Sequence, residues 1–85
     1  MAVVIVQTKW ASEGSIDPAI AQRGNDLMSL QTQPVIRYTD PETGIAIRYR
    51  HWVDLPAAEA WIEFVGPYTP LSAAIIQEVP PSHLG

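Results

Sequence analysis

The chain predicts an α+β domain in which four strands and two helices alternate in the order βαββαβ, and three observations carry that reading. Val3-Val4-Ile5-Val6 is β-branched and apolar on both alternations, as a strand covered on both faces would be. An aspartate followed closely by proline occurs at Asp17-Pro18 and again at Asp54-Leu55-Pro56. Each opens a helix, because the carboxylate accepts exposed amides and proline suits the first turn. Asp40-Pro41-Glu42-Thr43-Gly44 is a turn between strands, with Pro41 presetting φ and Gly44 permitting a positive φ in a bulged hairpin.

In order, the first strand runs from Val3 to Trp10, and a turn around Gly14 follows. The first helix opens at Asp17 and carries Ile20, Gly24, Leu27 and Leu30 or Gln31 at helical spacing, with Ile16 stapling the entry. Gly24 inside it costs up to about 1 kcal/mol relative to alanine and points to close helix–sheet contact or to backbone lining a pocket. Pro34 ends that segment, and 35–39 is the second strand. The third strand, 45–53, shows Ile45, Ile47, Tyr49, His51 and Val53 in one phase and Ala46, Arg48, Arg50 and Trp52 in the other. Such alternation buries one face, and the first phase is the more apolar. The second helix carries Ala58, Trp61, Ile62 and Val65 inward and Glu59 and Glu63 toward water, and stops at Gly66-Pro67. The fourth strand is 72–79. This is the ferredoxin-like order: a four-stranded antiparallel sheet with right-handed crossovers putting both helices on one face. Residues 1–80 form the single domain and 81–85 a loose tail.

Composition narrows the function classes. Eighty-five residues allow one core, and the absence of cysteine excludes disulfides and thiolate zinc sites. The chain is 47% hydrophobic and 16% charged, which argues for a packed core over disorder. Nine acids against five bases give −4, no footing for nucleic-acid binding. An RNA-recognition sheet needs stacking aromatics where Gly44-Ile45-Ala46-Ile47 supplies aliphatics. No segment reads as a signal peptide or a membrane span: the longest uncharged run, Phe64 to Gln77, is interrupted by Gly66, Pro67 and Pro70. A cytoplasmic protein is the expectation. Metal and phosphate-loop motifs are missing, and no cofactor is expected.

With both helices on one sheet face, the other face needs a cover. The doubly apolar first strand and Ala73-Ala74-Ile75-Ile76 in the fourth predict a homodimer packed sheet against sheet. Arg37, Arg48 and Arg50 fall on one phase of the second and third strands and are expected to share that second face. They read either as solvated or acid-paired strand arginines or as an anion- or partner-binding patch. Trp10, Trp52 and Trp61, with Tyr49 and Gln7, either form the core or wall a pocket for a flat organic molecule. His51, in the apolar phase beside Trp52, is either a hydrogen-bonded core or rim histidine, the commoner role for a lone histidine, or the candidate catalytic base.

Val3-Val4-Ile5-Val6-Gln7-Thr8-Lys9-Trp10, followed by Arg48-Tyr49-Arg50-His51-Trp52-Val53-Asp54-Leu55-Pro56-Ala57-Ala58-Glu59-Ala60-Trp61, resembles the antibiotic-biosynthesis-monooxygenase type of dimeric α+β barrel. The specific part is Trp52 to Trp61. The resemblance implies a homodimer with a pocket between helices and sheet in each subunit. It also implies cofactor-independent oxygenation of an electron-rich organic substrate. Haem degradation, also known in that family, wants an early-strand Asn and a helical His, where this chain has Gln7 and neither helix holds a histidine. The expected function is therefore a small dimeric protein that binds a small organic molecule through Gln7, Trp10, Tyr49, His51, Trp52 and Trp61, with cofactor-independent oxidation as its candidate reaction and the question of an enzyme left open. The alternative is a non-catalytic interaction dimer using Arg37, Arg48 and Arg50.

Overall fold

The computed structural model describes residues 3–79, so the tail at 81–85 and His83 lie outside the described residues. Strands β1 (Val3–Trp10), β2 (Ile36–Thr39), β3 (Ala46–Trp52) and β4 (Ser72–Val79) form one antiparallel sheet in the order β2-β3-β1-β4. Helix α3 (Leu55–Val65) links β3 to β4, and two short helices, α1 (Ala19–Arg23) and α2 (Asn25–Met28), lie between β1 and β2. The fold is α+β and compatible with a ferredoxin-like arrangement.

The local chemistry behaves as the residues dictate. Asp54 caps α3 by accepting the Ala57 amide at 2.9 Å, with proline in the first turn. Asp17 Oδ1 accepts the Ala19 amide at 2.8 Å, but the N-cap position of α1 falls on Pro18 and not on Asp17 as expected. In the β2–β3 turn, Asp40 Oδ1 accepts the Glu42 amide at 2.9 Å and Gly44 takes a φ of 77°.

The first crossover departs from one continuous helix. It breaks at Gly24, which sits between α1 and α2. A Cβ there would stand 2.8 Å from the Ile20 carbonyl oxygen and 2.8 Å from the Phe64 ring, so the close approach is to α3 rather than to the sheet.

The core lies between α3 and the sheet. Val4, Val6 and Trp10 of β1 meet Trp52, Trp61, Ala58 and Val65, all buried. Trp52 and Trp61 stack tilted at 5.3 Å, and Phe64 continues the aromatic row at 5.6 Å.

The register reverses the expected sides of β3. Val4, Val6, Thr8 and Trp10 pair with Trp52, Arg50, Arg48 and Ala46, so these residues share the helix-covered face. Ile47, Tyr49 and His51, the phase expected inside, lie half-buried on the opposite, open face. The buried phase of β1 and the two-ring stack of Trp52 on Trp61 set this choice, and a one-residue slip would turn both out of the core.

Candidate functional site

The short first crossover leaves a cleft where a longer helix would lie on β2 and β3. The cleft has a volume of about 290 Å³. Arg37, Arg48 and Arg50 form its floor, and Ile16, Ile20 and Met28 form an apolar wall. Glu13 and Asp17 stand at its rim. Arg37 and Arg48 are direct cross-strand neighbours, and Arg50 follows Arg48 two residues along the same face. The three arginines thus share one face as expected, but it is the helix side of the sheet and not the open side.

Like charges placed directly opposite on a sheet repel, so each guanidinium needs compensation. Arg48, only 9% exposed, has it: Nη2 pairs with Glu13 Oε2 and Nη1 donates to the Ile47 carbonyl at 3.2 Å. Glu13 is held on a 3-10 turn (Glu13–Ser15), and its other oxygen accepts the Thr39 hydroxyl at 2.7 Å. The Arg48 hydrogen bond, then that of Thr39, keeps the Glu13 carboxyl below its ordinary pKa of 4.5.

Arg50 has no such partner. Its Nη1 donates to the neutral Gln31 Oε1 at 3.1 Å, its guanidinium lies 4.6 Å above the Trp61 ring, and its buried Nε has no hydrogen-bond partner. Burial first, then repulsion from Arg37 and Arg48, push its pKa down to about 10. Among the described residues the Arg48–Glu13 contact is the one ion pair; Arg37 feels the Glu13 charge only at longer range, and neither Arg37 nor Arg50 is in an ion pair.

The other singled-out side chains lie elsewhere. Trp10, Trp52 and Trp61 fill the core and are not among the residues lining this cleft, although Trp61 underlies Arg50. Gln7 and Tyr49 are cross-strand partners on the open face, where the Gln7 amide donates to the Tyr49 hydroxyl at 3.1 Å. His51 is on that same face opposite Ile5, with Nδ1 buried and unpartnered, so the sheet separates it from the cleft. Glu59 and Glu63 are exposed on α3.

Sequence reasoning did not assign Glu13, Ile20, Met28 or Gln31 to a site. These residues all belong to the connection between β1 and β2 and meet the arginines of β2 and β3 only in the folded chain, so their spacing carries no signal. Among the described residues no cluster of His, Cys, Asp and Glu is arranged to hold a metal ion, and no helix is long and apolar enough to cross a membrane.

No family model matches this chain, and neither does any curated protein or solved structure. The resemblance to the monooxygenase-type barrels therefore rests on element layout and on the Trp52–Trp61 segment.

Proposed function

We propose that this chain is a homodimeric binding protein of the ferredoxin-like, α+β-barrel kind, with two copies packed sheet against sheet and each holding a small organic molecule in the cleft beside α1. The observation that carries the ligand reading is the cleft itself. An aliphatic wall of Ile16, Ile20 and Met28 faces polar groups on β2 and β3, the combination small-molecule sites use for affinity and orientation. Binding is favoured over oxygenation, because the tryptophans expected to wall a reaction chamber are core residues and His51 lies across the sheet. It is also favoured over an arginine patch that docks a macromolecule, because Arg48 is buried and Arg50 partly so.

The dimer reading rests on the open face. Its register positions on β1, β2 and β3 carry Val3, Ile5, Ile36, Tyr38, Ile47 and Tyr49 beside the polar Gln7 and His51, and Lys9 is the one Lys, Arg, Asp or Glu among the described residues of those strands on that face. Ile36 and Tyr38 are 47% and 52% exposed. A single antiparallel sheet that meets water on one side shows polar residues there, and a second copy supplies a matching apolar surface.

Two measurements test the reading. Sedimentation at micromolar concentration should give twice the 9.4 kDa of one chain, and Ile47→Glu should halve that mass. A wild-type monomer would remove the dimer. A panel of small aromatic and aliphatic compounds, charged and neutral, should shift the methyl resonances of Ile20 and Met28. If no compound moves them, the cleft is not a binding site.

A further inference from the structure

The cleft combines a cost with an opportunity. Three guanidinium groups share one small area of sheet, one carboxylate answers them, and Arg50 keeps a buried Nε without a partner. A chain with nine acids has ample carboxylates to pair with these bases, yet Glu13 alone reaches them. Such an arrangement costs folding stability and is kept where a site needs positive charge. Beside the arginines, Ile16, Ile20 and Met28 supply apolar contact that a bare inorganic anion would not use.

We infer that the cleft takes a carboxylate with a small apolar body, its carboxylate on Arg50 and Arg37 and its body against Ile16, Ile20 and Met28, and that Glu13 is the resident carboxylate with which it competes. The inference rests on the cleft being a ligand site and names the ligand class. Arg50 is the anchor, since guanidinium forks pair with carboxylates through parallel hydrogen bonds and this one has donors to give. Arg37, exposed on the edge strand, closes over the same group. Glu13 sits on a half-exposed turn without a buried residue, so its side chain can swing to solvent without opening the core. While it is home, it neutralises part of the field that would draw the ligand in.

The test is an NMR titration of the full chain with benzoate and with benzamide, a neutral molecule of nearly the same shape. Benzoate should shift the Arg50 Nε–H and the Met28 and Ile20 methyls and saturate, with benzamide at least about tenfold weaker. Raising salt should weaken benzoate alone. Arg50→Met should reduce benzoate affinity at least about tenfold, and Arg23→Met, outside the cleft, should leave it unchanged. Should Arg50→Met fail to fold, Arg37→Gln on the exposed edge strand reads the same loss. Glu13→Gln should tighten benzoate about threefold or more, by removing the competing charge. Equal binding of benzamide and benzoate would overturn the carboxylate assignment while leaving the cleft a ligand site. Unchanged affinity in Glu13→Gln would overturn the competition. Silence of the cleft resonances to both compounds would overturn the inference, and silence to the wider panel as well would overturn the binding reading beneath it.

Discussion

The crossover from β1 to β2 and the crossover from β3 to β4 begin alike, each with an aspartate accepting a backbone amide and a proline close behind. They diverge in length. The second continues for 11 residues as α3, roughly 16 Å of helix. It packs across β1, β3 and β4 and seals its part of the sheet with Ala57, Ala58, Trp61 and Val65. The first runs only five residues as α1, breaks at Gly24, and adds four as α2. What it leaves uncovered is not apolar. Under the long helix the sheet presents valine and tryptophan, and beside the short ones it presents arginine. Guanidinium groups are tolerated where a cleft admits water and where a carboxylate or an aromatic face lies within reach. The incomplete crossover and the arginine floor are therefore two aspects of one feature.

That contrast can be broken at its strong side first. Trp61→Ala removes the ring shared by Trp52, Phe64 and Arg50, and chemical denaturation should register a loss of about 3–5 kcal/mol. A loss below about 1 kcal/mol would mean that the second crossover is not the sealed one. Gly24→Ala comes next. Steric contact with Phe64 and the Ile20 carbonyl should outweigh the better helix propensity and cost about 1–3 kcal/mol. A stabilised variant would show that propensity alone interrupts the first crossover. Asp54→Ala removes the cap of α3 and should cost about 1 kcal/mol, with the cleft resonances unmoved. The smallest effect belongs to acid. Glu13 has a depressed pKa in the folded chain, so its contribution is present above the ordinary carboxylate value of 4.5 and is lost as pH falls through the lower folded value. Wild type should therefore lose slightly more thermal stability than Glu13→Gln below that value, and parallel curves would show that the Arg48 contact contributes nothing.

Much of the frame is legible along the chain because its signals are local. The β1 run from Val3, the Asp40–Gly44 turn, the Asp54 cap with Pro56 and the whole of β4 each depend on neighbours within a few residues. The interruption at Gly24 was not legible, since glycine is tolerated within helices and the ring a side chain there would meet belongs to Phe64, forty positions on. The cleft was not legible either. Arg37, Arg48 and Arg50 share a phase along their strands, but Glu13, Ile20 and Met28 reach them only through the folded crossover.

The amino-acid sequence by itself determined the strands, the second helix, the hairpin turn and the grouping of the arginines on one side of β2 and β3. Tertiary structure alone decided which side that is. Alternation has a period of two and is unchanged when a strand is turned over. Both phases of β3 offer large apolar groups, Ile47 and Tyr49 in one and Trp52 in the other. The choice between them came from pairing across the sheet, Val4 to Trp52 and Val6 to Arg50, and from Trp61 arriving on α3 to meet Trp52. Those contacts join distant parts of the chain, and through them the arginines came to lie beneath a cleft instead of on an open surface.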